Sequence, residues 1–354
     1  MRDWMTSGDV RAAFANQVDY CRANGGTITM RVVEAILANL DGPGAFLKAI
    51  REWKGVPMAD ALPLRAAAGL HALNLTGAEP ALAPLYDGDP AALADAGRLV
   101  GEAIARHDAA LLPWLDGPPQ TNEAGRSWGY MAAMLWLAGQ GLPPRWECIE
   151  IGSSAGINLM IDRYRYELGG VGVGPIASEM RIAPEWRGPS PPAAPSDWAF
   201  ESIRGCDVAP VDLTDPAQLL RLRAFVWREH VERFARLDFA ARSAAERRPD
   251  LVQADAAEFV EAQLARPPAA GTTRILMHSI VWQYLGDARR ARITAAMEAA
   301  GARASAERPL AWITLEANRE TLKHELVVRH WPGDGEPRLL GRAHPHGAWV
   351  EWLG

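Results

Sequence analysis

The segment Glu150-Ile151-Gly152-Ser153-Ser154-Ala155-Gly156-Ile157-Asn158 follows a short apolar run, Trp146 to Ile151, and leads into a second apolar pattern. Glycines let a backbone turn sharply and approach a ligand, and a helix that follows offers it free N–H groups. Two carboxylates further on each end a predicted strand: Asp207 in Arg204-Gly205-Cys206-Asp207 and Asp255 in Gln253-Ala254-Asp255-Ala256. An acid ending the second strand of an open parallel sheet can accept both hydroxyls of a ribose. One ending the third can accept the exocyclic amino group of adenine. Plainer readings stand beside these. The glycine turn could be a bare strand-to-helix turn, Asp207 a turn cap, and Asp255 the N-cap of a helix over residues 256–263. The ordered set of one turn and two strand-end acids favours a bound nucleotide-like ligand.

Reacting groups are sought at the ends of the later strands. His278 and Ser279 end the fourth, and an imidazole that titrates near neutrality can take a proton from an attacking hydroxyl or amine. His278 could equally be a structural histidine. Glu316 and Asn318 end the fifth strand and are candidates for the same cleft. Asn122, Glu123, Arg126 and Ser127 precede the sheet and read as a helix start capped by Asn122 or as a polar lid over a pocket. Trp282 and Tyr284 read as core or as a substrate platform. His344-Pro345-His346 lacks a third ligand at a useful spacing, so no metal is expected. Neither a Gly-x-Ser-x-Gly nucleophile elbow nor a P-loop occurs.

Positioning these residues requires a particular succession of elements. Residues 9 to about 140 read as helices: Val10, Phe14, Val18 and Cys21 recur at helical spacing, as do Leu93, Leu99, Ile104 and Leu111. After Gly141-Leu142-Pro143-Pro144, strands alternate with helices. Strands are predicted at 146–151, 199–206, 251–254, 274–278 and 310–315, with helices after Gly156, at about 216–246 and at 287–300. The stretch from Pro184 to Pro195 reads as an insertion loop, within an insertion near 166–197. Two closing strands, 325–331 and 349–352, flank Gly333-Asp334-Gly335. The pattern predicts a doubly wound α/β domain, mainly parallel with an antiparallel closing hairpin, over 141–354. A helical domain over 1–140 precedes it as a candidate substrate lid.

The order Glu-x-Gly-x-x-x-Gly, Asp207, Asp255 and a seven-strand finish resembles the class I S-adenosylmethionine-dependent methyltransferases, with Ser154 where their motif usually has its middle glycine. More narrowly, Thr121-Asn122-Glu123-Ala124-Gly125-Arg126-Ser127, the turn through Leu159 and Asp162-Arg163-Tyr164-Arg165-Tyr166 resemble a bacterial family described as domain of unknown function twenty-three thirty-two. The resemblance covers nearly the whole chain. It implies a seven-stranded Rossmann-like methyltransferase sheet and S-adenosylmethionine as cofactor. Gly152, Ser153, Ser154 and Gly156 would then face the cofactor, with Glu150 supporting its amino group. Asp207 would hold ribose, and Asp255 with the Ala256 N–H would hold adenine. His278, Ser279 and Glu316 would take the catalytic positions, and Asn122, Glu123, Arg126 and Asn318 the substrate side. The chemistry would be in-line attack on a sulfonium methyl, which needs chiefly positioning and desolvation.

Composition narrows the partners. The chain has 354 residues, a formal net charge of −6 and no lysine-rich run, which argues against a nucleic-acid or membrane-surface binder. The longest apolar stretch is too short to span a bilayer. Three scattered cysteines and an N-terminus without a signal-peptide core favour the cytoplasm. No Asn/Asp-Pro-Pro-aromatic signature follows the fifth strand, so a small-molecule methyl acceptor is expected rather than a base. A non-catalytic ligand-binding or interaction module on the same fold is the alternative. A nicotinamide-dependent oxidoreductase ranks third, since Gly-x-Gly-x-x-Gly spacing is absent. The sequence does not exclude a homo-oligomer.

Overall fold

Short apolar runs bounded by Gly and Pro pair into sheets once helices cover their faces, and residues after 141 do so. The computed structural model describes residues 8–119, 122–318, 321 and 323–354. Its strands are β1 (Arg145–Ile151), β2 (Arg165–Leu168), β3 (Val171–Val173), β4 (Arg181–Ile182), β5 (Glu185–Arg187), β6 (Ala199–Asp207), β7 (Asp250–Gln253), β8 (Thr273–Ser279), β9 (Leu310–Asn318), β10 (Lys323–Trp331), β11 (Arg338–Ala343) and β12 (Trp349–Trp352). Nine of them form one sheet in the order β5-β12-β11-β10-β9-β8-β1-β6-β7, and β3-β2-β4 form a small second sheet. The five strands from β7 to β9 are parallel, whereas β9, β10, β11 and β12 succeed one another antiparallel.

Several sequence expectations change here. The sheet has nine strands rather than seven, because β11 and β5 went unread. β5 lies inside the proline-rich stretch read as a loop, and it pairs in parallel with β12 at the sheet edge, where proline is tolerated because one side of the strand needs no donor. The closing hairpin is a longer meander. The helix expected after Gly156 is only a 3₁₀ stretch, Ile157–Arg163, kinked at Met160 and followed at once by β2. The apolar spacing there serves burial in a short element, which periodicity alone does not distinguish from an α-helix. The helix expected over 216–246 is two, Pro216–Phe225 and Val231–Glu246.

The chain divides into two compact units, Met1–Thr121 with Asp215–Ala235, and Asn122–Thr214 with Arg236–Gly354. The first is helical, with helices that include Val10–Ala23, Thr27–Ala38, Leu62–Leu75 and Ala96–Leu111 around a core of Phe14, Ile36, Phe46, Leu62, Leu70 and Val100. Its second segment is tied in by capping. Helix Thr27–Ala38 starts at Gly26, which has no side chain to cap it, and the Glu229 carboxylate accepts from Ile28 N–H and, at 2.9 Å, from Thr29 N–H. By contact, residues 215–235 group with the helical unit and helix Ser127–Gly139 with the sheet unit.

In the second unit, Ile149, Ile151, Leu276 and Trp312 join Phe259, Val260, Ile293 and Met297 in one core. Helices Ala256–Leu264 and Asp287–Gly301 therefore cover that face. Helix Ser127–Gly139 covers the other: a Cβ on Gly129 would touch Leu315 and Leu326 at 3.4 Å. Since side chains alternate along a strand, Glu150 and Ser279 point to the Ser127–Gly139 face, and His278 points to the opposite one.

Candidate functional site

The carboxyl ends of β1, β6, β7, β8 and β9 lie at one end of the sheet, and the strand order runs outward in both directions from β1. Here Gly152 and Gly156 adopt φ of 66° and 70°, and Ser154 adopts 52°. The serine thus takes a left-handed conformation that costs an L-residue about 1–2 kcal/mol. Hydrogen bonds hold it there. Ser154 N–H donates to Asp207 Oδ2 at 2.8 Å, Val211 N–H donates to Ser154 O at 3.0 Å, and Gly156 N–H donates to Ser153 O at 2.7 Å. Asp207 Oδ1 also accepts from Ala209 N–H at 2.9 Å. Ile157 N–H, the first amide after the turn, donates to Asn122 Oδ1 at 2.9 Å. Asn122 therefore braces the glycine turn, and it is Glu123 that caps the following 3₁₀ turn, accepting from Gly125 N–H at 2.8 Å.

Asp255 is the N-cap of helix Ala256–Leu264. Its Oδ1 accepts from Ala257 N–H at 2.9 Å and its Oδ2 pairs with Arg289. These bonds hold the carboxyl below its usual range although partial burial opposes them.

Beneath the turn, Glu150 is 2% exposed. Its Oε1 accepts from Asn158 Nδ2 at 3.0 Å and from Tyr130 Oη at 3.3 Å, and Oε2 is buried without a partner. Burial pushes the carboxyl up to about 7, against the pull of the Asn158, Ser153 and Tyr130 hydrogen bonds. Burial also raises Tyr130 well above the usual phenol value, opposed by a hydrogen bond with Ser279. Tyr130 thus donates to Glu150 as a neutral phenol. Neither Tyr130 nor Asn158 was singled out from sequence. Asn158 lay inside the quoted motif and could have been found by its place after the turn, whereas Tyr130 sits in a helix apolar all round, where pattern reveals only burial.

On the opposite face, His278 is 1% exposed. Glu316 Oε1 lies 2.6 Å from His278 Nδ1, and Trp312 Nε1–H donates to His278 Nε2 at 3.0 Å. The Trp312 donor makes Nε2 the acceptor, so Nδ1 carries the proton towards Glu316. With both nitrogens engaged and the ring stacked on Trp282 at 5.2 Å, His278 presents no lone pair to a substrate. Glu316 Oε1 also accepts from Val281 N–H at 3.1 Å and Trp282 N–H at 3.3 Å. Trp282, partly buried, thus packs against the core that holds Trp312, while Tyr284 is exposed. Between His278 and Trp282, Ile280 has φ 55°, an outlier for a β-branched residue and a local strain of about 1–3 kcal/mol.

The segment 122–127 is clamped rather than open. Glu123 Oε1 accepts from Arg236 Nη1 at 3.2 Å, Arg126 Nε donates to Pro345 O at 2.9 Å, and Glu123, Arg126 and Ser127 are buried. Asn318 Nδ2 donates to Glu325 Oε2 at 2.8 Å within the β9–β10 hairpin. His344 and His346 are neighbours, with His346 N–H donating to His344 Nδ1 at 3.2 Å. No group of three or more metal-ligating side chains occurs among the described residues. His324, unread in the sequence, stands opposite Ala317 and Ala343, and burial, then Arg126, lowers it to about 4.

The chain belongs to the family described as "Uncharacterized protein conserved in bacteria (DUF2332)", whose model matches residues 11–352. No curated protein and no solved structure matched it. No helix among the described residues is long and apolar enough to cross a membrane.

The donor chemistry fits an adenosyl group: each carboxylate has about four lone-pair sites, so Asp207 and Asp255 keep acceptor capacity, and Glu150 Oε2 is unpartnered. Space is the constraint, since a Cβ on Gly152 would overlap the side chain of Val281. A ligand over Gly152 must displace that side chain, which is only partly buried, so the cost is about 1 kcal/mol. Val281→Ala is therefore expected to tighten S-adenosylhomocysteine binding about fivefold, as read by calorimetry. Unchanged or weaker affinity in a folded variant would place the ligand elsewhere.

Proposed function

We propose that this protein is an S-adenosylmethionine-dependent methyltransferase acting on a small-molecule acceptor, with the cofactor held at the end of β1. The observation that carries the reading is the coincidence of three features. A glycine turn ends the strand from which the parallel order β7-β6-β1-β8-β9 departs in both directions, and Asp207 and Asp255 end the next two strands on one side. Open α/β sheets bind ligands at such a switch point, which supports the reading.

When bound, S-adenosylmethionine supplies an electrophilic methyl group on a sulfonium. Asp207 would accept from the ribose hydroxyls, Asp255 with the Ala256 N–H would read adenine, and Glu150 would support the amino group through its unpartnered oxygen. His278 and Glu316 act here by fixing the Ser279–Trp282 segment, and Ser279 with Tyr130 lines the Glu150 side of the sheet. Asn122, Glu123, Arg126 and Asn318 act through the loops they brace. In-line methyl transfer needs chiefly positioning, so the reading does not require a general base. Cytoplasmic placement accompanies it.

A non-catalytic module is favoured by one specific observation, the closure of Val281 onto Gly152. Calorimetry with S-adenosylmethionine, S-adenosylhomocysteine, NAD and NADP separates the readings. Binding of the first two alone is the expected result. Binding of NAD or NADP instead, or of none of the four, would sink the methyltransferase reading.

A further inference from the structure

Behind the glycine turn, on the side of Gly156 rather than Gly152, lies a cavity of about 220 Å³. Its apolar wall is built by Ala155 of the turn, Val211 and Leu213 of the loop after β6, Ala244 of helix Val231–Glu246, and Leu251 of β7. Three separate stretches of chain thus converge on one space. They are held in place: Val211 N–H is bonded to Ser154 O, and Pro249 packs so closely on Gly156 that a Cβ there would come within 2.9 Å of its ring. Gly152, Asp207 and Asp255 do not line it, so it is separate from the cofactor position proposed above.

Two charged groups line the cavity, Arg248 and Asp212. Asp212 is engaged by its own loop, its Oδ1 accepting from Thr214 N–H at 2.8 Å and from Thr214 Oγ1–H at 2.6 Å. Arg248 meets Asp212 Oδ2 through Nη1 at 3.4 Å and Thr214 Oγ1 through Nη2 at 3.1 Å. A guanidinium carries five N–H donors in a planar fork suited to carboxylates. The 3.4 Å contact is too long for a strong charge-assisted bond.

We infer that this cavity is a binding site for a small monocarboxylate with an apolar body, the carboxylate meeting Arg248 and the body filling the space behind Ala155. The space is partly open to solvent; since a closed apolar cavity of about 150 Å³ accepts benzene, it holds at most about nine heavy atoms, the size of a benzoate. Apolar walls with a few placed polar groups are the usual make-up of small-molecule sites, and Arg248 is the cationic one here, beside Asp212.

The test is fluorine NMR titration of the full chain with 4-fluorobenzoate, 4-fluorobenzyl alcohol and 4-fluorobenzylamine, three bodies of one shape and different charge. The benzoate is expected to bind at least about tenfold more tightly than the amine, with the alcohol between them. Arg248→Gln, a change at an exposed side chain, should remove most of that preference while the alcohol still binds. Leu213→Phe, checked for folding by circular dichroism, should block all three. Equal affinities, no binding by any probe, or an Arg248→Gln variant with unchanged benzoate affinity would overturn the site. Because none of the residues assigned to the cofactor lines the cavity, failure of S-adenosylhomocysteine binding would leave this result standing.

Discussion

Glu150→Gln should stabilise the protein at pH 8 and leave it nearly unchanged at pH 5. The carboxyl is buried and its folded value is raised from 4.5 to about 7. A raised folded value means that the native state holds the proton more tightly than the unfolded chain. The stability this contributes is complete below about 4.5 and is lost as pH rises through about 7, where the buried group must ionise. The difference corresponds to about 3 kcal/mol across that window. Glutamine is isosteric and neutral, keeps an oxygen for Asn158 and Tyr130, and escapes the loss. Urea denaturation of parent and variant at pH 5, 6, 7 and 8 reads the difference directly, and other titrating groups cancel. A variant that loses ground to its parent as pH rises would mean that Glu150 is ionised and held by a cation-like partner. If S-adenosylhomocysteine binds, the same variant should weaken it, since Gln cannot offer the amino group an anionic oxygen.

Glu316→Ala is expected to cost about 3 kcal/mol of folding stability. The substitution leaves the buried His278 Nδ1–H and the N–H groups of Val281 and Trp282 without their acceptor, and each orphaned donor costs about 1–3 kcal/mol unless water reaches it. Glu316 is itself 19% exposed on its side chain, so partial hydration keeps the total below the sum. The strained Ile280 should then relax, and the segment that seats Val281 on Gly152 should loosen. Equilibrium denaturation gives the first quantity, and faster amide exchange at Val281 and Trp282 with little change in β1 gives the second. A cost under about 1 kcal/mol, with exchange unaltered, would show that Glu316 does not anchor this segment. His278→Gln should follow the same pattern, with loss of stability rather than a selective loss of turnover.

How much of this was legible in the residues depends on the range of the physics involved. The parallel strands β1, β6, β7, β8 and β9 were readable, because each is a short apolar run whose end is marked locally by Gly, Asp or His. The bond between Asp207 and Ala209 N–H and the N-cap at Asp255 are likewise local facts, since a strand-end acid bonds to the next few amides, whereas the bond of Asp207 to Ser154 N–H spans 53 positions. β5 and β11 were not readable. β5 is three residues in a proline-rich stretch and exists as a strand only because β12, more than 160 positions later, offers it an edge.

The family of the chain was also legible, since its motifs are contiguous words in the sequence. The fate of their side chains was not. Asn122 lies 35 positions from the amide it caps, and Glu316 lies 38 from the histidine it holds. The sequence placed His278 and Glu150 at the carboxyl ends of neighbouring strands. The pleat and the helices packed on each face decided that one points into a tryptophan cage and the other beneath the glycine turn. Local steric and hydrogen-bonding rules settle where a strand ends and which residue turns it. Which polar group meets which, and whether Gly152 faces open space or Val281, depends on contacts between segments far apart in the chain, and only the folded arrangement brings those together.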